Sequence, residues 1–324
     1  KMSKSMGNVV APEDVIKKFG ADVLRLWCAT QDYRDDNRIS EEILNRVSEA
    51  YRRIRNTCRF MLGNLYDFNP ATDSVAFGEM MPIDRLALDH LELLKERVLA
   101  AYAEFEFHTI YQAVNAFCTV ELSAQYLDIL KDRLYTSRKD AAERRSSQTA
   151  MFIITDTLTR LLAPLISFTC DEIWQYLPGE REVSVHLAAF PQLNAERKDS
   201  ELADRWARLF DVRADVLKAL ELKRTEKVIG HPLDAAVQLY APAETAAFLK
   251  EYLEKLRAIC IVSNLDLVEE VPAEAYAGTV VEGLKILVQK TPGEKCERCW
   301  CYSEELGSTP DHPTICPKCT AAVA

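Results

Sequence analysis

Apolar residues recur every three or four positions between residues 43 and 65. The members of this series are Ile43, Val47, Tyr51, Ile54, Cys58, Met61 and Leu65. Such spacing puts them on one face of an α-helix, and a long helix with one apolar face must bury it against other helices. Ser40, followed by Glu41 and Glu42, is a typical start signal for this helix.

Similar periodicity predicts more helices on both sides of this one. They are expected over residues 12–20, 21–29, 84–105, 109–131 and 141–162, with a shorter helix ending at Pro178 and Gly179. Long helices joined by short loops indicate a mainly α protein built on an antiparallel helix bundle. After Gly179 the pattern changes to a small α/β appendage. Its expected parts are a short strand or arm at 183–187, helices at 200–224 and 243–257, and strands at 233–240, 264–269 and 279–289.

Composition excludes several classes of protein. With 28% charged and 48% hydrophobic residues the chain is globular rather than disordered. The longest charge-free stretch runs for 14 residues, from Phe107 to Val120, whereas a membrane span needs about 20. No secretory leader is visible, and the opening residues read as the middle of a longer protein. The net charge of −10 disfavours nucleic-acid binding without excluding it, because RNA responds to local potential.

The ten cysteines fall into two groups. Cys28, Cys58, Cys118, Cys170 and Cys260 are scattered in apolar settings and are expected to be small buried hydrophobic residues. Scattered free thiols fit a reducing compartment, so we expect a cytoplasmic protein. The other five lie in the last thirty residues, where large aliphatic residues are few.

Two cysteine pairs in this tail predict a structural metal site. Cys296 with Cys299 and Cys316 with Cys319 form the pattern C-x2-C-x16-C-x2-C, which suits one zinc ion in a ribbon or knuckle. Disulfides or free thiols are the alternatives, and Cys301 and His312 are spare candidate ligands. A tail with so few aliphatic residues needs the metal in place of a core.

Cations and an aromatic ring lie beside these cysteines. An exposed Trp300 with Arg298 and Lys318 nearby could stack on and hold an unpaired base of RNA. Alternatively, Trp300 packs the tail onto the rest of the protein. At the opposite end, Lys1, Ser3, Lys4 and Ser5 offer ammonium and hydroxyl groups that suit a polyphosphate, although a solvated basic end would look the same.

The first five residues, KMSKS, resemble the second signature of class I aminoacyl-tRNA synthetases. The stretches at 20–27 and 32–34 are similar to the isoleucine, valine, leucine and methionine branch. Those at 126–135 and 163–174 resemble the anticodon-binding bundle of isoleucyl-tRNA synthetases. The tail, with KCERCW at 295–300 and CPKC at 316–319, is similar to the zinc tail of the bacterial isoleucine enzymes. The resemblance covers essentially the whole chain.

The resemblance implies a tRNA-recognition part of an enzyme that joins isoleucine to its tRNA with ATP and Mg²⁺. Lys4 would be the catalytic residue, contacting the ATP phosphates, and Lys1, Ser3 and Ser5 would shape its loop. Residues 1–38 would be the signature loop and stem-contact region, 39–180 the anticodon-binding bundle, 181–292 an α/β junction domain and 293–324 the zinc tail. The HIGH signature, the amino-acid pocket and the editing domain are not in this sequence, so the piece alone is expected to be inactive and monomeric.

A basic stripe agrees with RNA binding. Arg52, Arg55 and Arg59 share one helical face opposite the apolar series, although a solvated face is the plain alternative. We therefore interpret the chain as a tRNA-binding part of a ligase. A non-enzymatic RNA-binding zinc-ribbon adaptor and a helical protein-interaction scaffold are the alternatives; the adaptor has no use for a phosphate loop, and the scaffold predicts no tRNA binding.

Overall fold

A computed structural model describes residues 2–270 and 272–324, except for the side chain of Lys4. The predicted phosphate contacts of Lys1 and of the Lys4 side chain therefore lie outside the described residues. The chain divides into two compact units. One holds the described residues up to Leu127 together with Ala142–Asp199, and the other holds Asp128–Ala141 with Ser200–Ala324. In the described part of the chain, no helix combines the length and apolar character that crossing a membrane requires.

The first unit is helical, as the apolar periodicity predicts. It begins with α1 (Pro12–Phe19) and α2 (Ala21–Thr30), which meet at Gly20, whose φ of 92° favours glycine. The long helix α3 (Glu41–Gly63) starts where predicted, because the Ser40 side chain accepts a hydrogen bond from the Ile43 N–H at 3.2 Å. Its buried face includes Val47, Ile54, Cys58 and Met61, all at or below 4% exposure.

The remaining helical segments belong to the first unit, except the one at Asp128–Thr136, which lies in the second. They are α4 (Pro82–Ala103), α5 (Phe107–Ala116), a π-helix (Phe117–Leu127), α6 (Asp128–Thr136), α7 (Ala142–Leu162) and α8 (Ser167–Tyr176). Within the first unit, α4 packs against α5 and α7, and α3 packs against α2 and α7. The mainly helical fold is thereby confirmed, and the helix expected at 109–131 is one part of a longer helical run.

Buried carboxylates fix how the helices of the first unit meet. The Asp84 carboxylate on α4 is fully buried and accepts hydrogen bonds from the Tyr126 hydroxyl at 2.7 Å and the Ser146 hydroxyl at 2.5 Å. Asp22 on α2 accepts from the backbone N–H and hydroxyl of Thr169, at 2.7 and 2.5 Å. Asp22 thus satisfies orphan donors in the first turn of α8, which its neighbouring residues do not cap.

The second unit contains a four-stranded sheet covered by helices. Its elements are α9 (Ser200–Thr225), β1 (Ala235–Tyr240), α10 (Ala243–Cys260), β2 (Asn264–Leu267), β3 (Tyr276–Ala277) and β4 (Lys285–Lys290). The strand order is β2-β1-β4-β3, with β1 and β2 parallel and the other pairs antiparallel. Alternate residues of β1 are buried, as expected for a strand with one face on a core. The small α/β appendage is confirmed.

The last residues form a two-stranded hairpin and a short helix. Here β5 (Glu294–Lys295) pairs antiparallel with β6 (Tyr302–Ser303), and α11 (Pro317–Val323) follows. Gly293 precedes the hairpin with a φ of 88°, and a Cβ atom there would lie 2.5 Å from the carbonyl carbon of Ser303. The close approach of the two chain segments therefore requires glycine.

Two predicted strands differ in the structure. Residues 183–187 are not a strand; the Ser184 hydroxyl and the Val185 N–H both bind the Asp171 carboxylate, and a 3₁₀ turn (Val185–Leu187) forms. The strand expected at 279–289 begins only at Lys285. The preceding N–H groups bind the Asp215 carboxylate instead of a neighbouring strand.

Candidate metal centre and nucleic-acid interface

The four cysteines of the two C-x2-C pairs meet at one point in the second unit. Sulfur atoms of Cys296, Cys299, Cys316 and Cys319 all lie within 4.8 Å of one another. Cys296 and Cys319 are fully buried, and Cys316 is 6% exposed. The spacing in the sequence groups these cysteines into two pairs. In the structure, the hairpin and α11 bring the two pairs together.

The sulfur geometry fits zinc rather than disulfides. The Cys299 and Cys316 sulfur atoms are 3.7 Å apart, whereas a disulfide bond is about 2.05 Å long. Four sulfur atoms each about 2.3 Å from a central zinc are separated by about 3.8 Å along the edges of the tetrahedron. These four cysteines would therefore hold a structural zinc ion, with no position left open for catalysis.

Local backbone geometry favours the thiolate form at one of the four cysteines. Burial would raise the pKa of Cys296, but N–H groups of Cys299, Cys316 and Arg298 outweigh it and lower that pKa to about 6. Burial raises the pKa of Cys316 and of Cys319, and neighbouring sulfur atoms raise both further. Four thiolates so close together need a cation between them, which is what a metal ion supplies.

Cys301 and His312, the spare candidate ligands, do not belong to this cluster. The Cys301 carbonyl instead accepts a hydrogen bond from the Cys296 N–H at 2.9 Å. The Cys301 backbone therefore closes the turn that carries the first cysteine pair, and its thiol interacts with the Cys299 sulfur.

Trp300 is exposed beside the metal cluster. Its relative exposure is 58%, and the Lys295 ammonium lies 5.5 Å from the centre of its ring. Trp300 has a φ of 67°, a left-handed conformation that is uncommon for a bulky residue. The Trp300 backbone N–H donates a hydrogen bond to the Cys296 carbonyl at 2.9 Å. The turn around the metal cluster therefore fixes the backbone of Trp300, and its indole ring lies in solvent.

Arg298 and Lys318 face α6 within the same unit. The Arg298 guanidinium donates a hydrogen bond to the Thr136 carbonyl, and the Lys318 ammonium pairs with the Asp132 carboxylate. Because the Lys318 side chain remains 55% exposed, it can still meet a ligand. Both residues tie the cysteine knuckle to α6, a structural role that the sequence did not indicate.

The predicted arginine stripe lies on α3 in the first unit. Arg52 and Arg59 are exposed and have no ion pair among the described residues, and Arg55 is half-exposed with Glu172 at 3.9 Å. By contrast, Arg46 pairs with Glu42, and Arg53 lies 3.9 Å from Glu49. The structure thus leaves two of the three predicted cations available to an anionic partner.

The signature residues at the start of the chain form a short turn. The hydroxyls of Ser3 and Ser5 are 2.6 Å apart, and the Ser3 N–H bonds the Asn8 side chain at 2.8 Å. A 3₁₀ turn covers Lys4–Met6. The turn therefore brings the Ser3 and Ser5 hydroxyls together.

Lys295 is a candidate binding residue that the sequence analysis missed. It faces Tyr302 across the β5–β6 hairpin and holds its ammonium over the Trp300 ring. The signal was present, since Lys295 directly precedes the first metal cysteine, but only the hairpin register shows that it reaches Trp300.

Comparison with known proteins gives three family matches. Residues 84–239 match the family described as "Anticodon-binding domain of tRNA ligase". Residues 1–40 match "tRNA synthetases class I (I, L, M and V)", and residues 293–322 match "Zinc finger found in FPG and IleRS". The last match contains the four-cysteine cluster.

Curated relatives match over the whole chain. Isoleucine–tRNA ligases of Geobacter sulfurreducens, Syntrophotalea carbinolica and Moorella thermoacetica are 60%, 54% and 49% identical to it. Each alignment covers 100% of this chain and 35% of the relative. The chain thus spans about a third of the length of the curated relatives it matches.

Proposed function

We propose that this chain, which is similar over its whole length to isoleucine–tRNA ligases, is the tRNA-recognition part of such an enzyme. The reaction joins isoleucine to tRNA(Ile) with ATP, releasing AMP and pyrophosphate, and the helical bundle and zinc knuckle would hold the anticodon arm. The observation that carries the proposal is an exposed indole beside a cluster of four sulfur atoms. An aromatic ring held in solvent by a metal-bound turn suits stacking on an unpaired base.

The residue roles follow the same proposal. Trp300 stacks on RNA, while Arg298 and Lys318 hold the knuckle and border the contact. Arg52, Arg55 and Arg59 face the phosphate backbone. Lys4 contacts the ATP phosphates when the catalytic part of the enzyme is present, with Lys1, Ser3 and Ser5 shaping the loop. The ten free cysteines support a reducing, cytoplasmic location, and a monomer is expected.

The direct test is binding of zinc-loaded protein to tRNA. Filter binding at fixed salt would compare tRNA(Ile), the same tRNA with its anticodon replaced, and a tRNA for another amino acid. We expect tRNA(Ile) to bind tightest and the anticodon replacement to weaken it at least tenfold, because single-stranded loops carry the readable bases. Equal binding of all three RNAs would favour a general RNA adaptor, and no binding would favour a protein-interaction scaffold.

A further inference from the structure

A cationic cavity lies in the second unit, apart from the residues assigned above. Its volume is about 370 Å³, the size of a small ligand site. The lining residues are Arg224, Lys227, Val228, Ile229, Gly230, Asp234, Lys290 and Tyr302. They come from the end of α9, the loop after it, the end of β4 and the hairpin strand β6.

Positively charged side chains outnumber the one acidic side chain around this cavity, so the cavity attracts anions. Lys227 and Lys290 are exposed and have no ion pair among the described residues, and Arg224 pairs with Glu221 at 2.8 Å. Lys227 has a φ of 62°, so the chain reverses there and brings the loop over the end of β4. In a protein of net charge −10, these two ammonium groups give the cavity a locally positive potential.

Asp234 is the one acidic lining residue, and its carboxylate is already engaged. It accepts hydrogen bonds from the N–H groups of Gly230 and His231, at 3.0 and 2.7 Å. Burial would raise the pKa of Asp234, but these N–H groups, the Tyr302 hydroxyl and Lys295 outweigh burial and lower it. The carboxylate therefore holds the loop in place and leaves the two lysines to face a ligand.

Two residues of the hairpin connect the cavity with Trp300. Tyr302, which lines it, lies opposite Lys295 in the hairpin, and Lys295 lies over the Trp300 ring. The Trp300 indole, the Lys295 ammonium and the cationic cavity would suit a polymer that carries both flat rings and negative charges. RNA has this chemistry, since its bases stack on aromatic rings and its phosphates pair with lysine.

We propose that the cavity formed by Lys227, Lys290 and Tyr302 binds a backbone phosphate of the RNA whose base stacks on Trp300. This inference rests on the proposed tRNA-binding function and adds a phosphate site to it. The site fixes the register of the strand and carries no sequence information, because phosphate contacts position while base contacts specify. It predicts a strong dependence of binding on salt.

The test is the salt dependence of tRNA(Ile) binding by the whole zinc-loaded chain. The variant Lys227→Gln with Lys290→Gln removes both ammonium groups. A matched control, Lys218→Gln with Lys250→Gln, removes two exposed lysines of α9 and α10 that do not line the cavity. Zinc content and circular dichroism establish that each variant is folded.

We expect the cavity variant to bind on the order of tenfold more weakly at physiological salt. The slope of log affinity against log salt should fall by about 0.7 to 0.9, the value for one lost phosphate contact. The loss should be the same for tRNA(Ile) and for its anticodon-replaced form, as befits a contact that reads no bases.

Each other outcome is decisive. If the control variant loses as much as the cavity variant, general charge and not a site is responsible, and the proposal is overturned. If neither changes binding, the cavity holds no phosphate while the proposed function stands. If the unaltered chain fails to bind tRNA(Ile), the proposed function fails and the phosphate site fails with it.

Discussion

At the scale of single residues, the least expected feature is an indole held in water by the turn around a metal site. Trp300 is exposed although the cluster beside it is buried, and its backbone adopts a left-handed conformation. Its neighbour Lys295 keeps a positive charge at the ring. Single exposed rings are common on protein surfaces, so the position of Trp300 beside the cysteine cluster and the Lys295 ammonium distinguishes it, and not exposure alone.

Replacement of Trp300 by Ala is expected to weaken tRNA binding by roughly 5- to 150-fold. This range corresponds to about 1–3 kcal/mol for a base stacked on an aromatic side chain. Fluorescence anisotropy with labelled tRNA(Ile) measures the change, and Trp300→Phe, which keeps a ring, should lose much less. If the Ala variant retains its zinc and binds tRNA as tightly as the original protein, Trp300 does not contact the tRNA.

The contacts of Asp215 lead to a second prediction at this scale, which concerns the stability of the fold at acid pH. Its carboxylate accepts the N–H groups of Thr279, Val280 and Val281 at 2.8, 3.1 and 2.9 Å. Burial raises the pKa of Asp215, but these three N–H groups outweigh it, so the pKa in the folded state is below the ordinary value. A lowered pKa stabilises the fold above the unfolded-state value and loses that contribution as pH falls through the folded-state value.

Asp215→Asn should therefore lower the free energy of unfolding at pH 7, by about 1–3 kcal/mol, because a charged acceptor is lost. The difference between the two proteins should persist down to pH 5 and shrink below about pH 4. Urea denaturation at pH 7, 5 and 3 measures it, with zinc-free samples of both proteins so that metal loss is not counted. A difference that stays constant over this range would show that the charge of Asp215 contributes nothing.

At the scale of elements, the cysteine knuckle is a small structure held by its metal and tied to α6. Arg298 reaches the Thr136 carbonyl, and Lys318 pairs with Asp132. Beyond the cysteines, the partly buried hydrophobic residues packed on the cluster are Leu306 and Ile315. So little apolar material cannot order thirty residues without a cation.

Removal of zinc is expected to unfold the knuckle and leave most of the helical signal. A strong chelator should release one zinc per chain and raise amide hydrogen exchange in residues 293–324, with little change in far-ultraviolet circular dichroism. Cys319→Ser should do the same, while Cys301→Ser, the matched control outside the cluster, should keep its zinc. Full zinc retention in Cys319→Ser, or its loss in Cys301→Ser, would contradict the ligand set.

The sequence was most informative where local signals and tertiary packing agree. Ser40 marked the start of α3 because its side chain caps that helix, and the cysteine spacing found the metal site because tetrahedral coordination demands it. Prediction from the sequence failed where a side chain that is distant in sequence determines the local structure. Neither the late start of β4, which depends on Asp215, nor the cavity at Lys227 could be found, since both depend on residues that are remote in sequence.

At the scale of the whole molecule, charge is distributed unevenly. The chain carries 40 basic and 50 acidic side chains, yet Arg52 and Arg59 are exposed on α3 with no ion pair among the described residues. An acidic protein repels nucleic acid at a distance and binds it only where local cations exceed local acids. Binding should therefore depend on a few surfaces and not on net charge.

Charge reversal on α3 tests whether tRNA binding depends on a local cationic surface or on the net charge of the protein. Arg52→Glu with Arg59→Glu alters the exposed stripe, and Arg46→Glu with Arg53→Glu makes the same change of net charge about 120° around the same helix. Arg46 and Arg53 already lie beside Glu42 and Glu49 and contribute little free positive charge. If the stripe faces the tRNA backbone, the first variant should lose at least tenfold in affinity and about 1.5 to 2 in salt slope.

The second variant should lose markedly less, because repulsion from its new charges acts through solvent and is screened within about 8 Å at physiological salt. Filter binding between 50 and 300 mM KCl measures both slopes, with circular dichroism to verify that α3 persists. Equal losses would mean that tRNA senses only total charge, and the α3 stripe would then be a solvated helix face. A loss confined to the first variant places an RNA-binding surface on the helix whose apolar periodicity dominates the sequence.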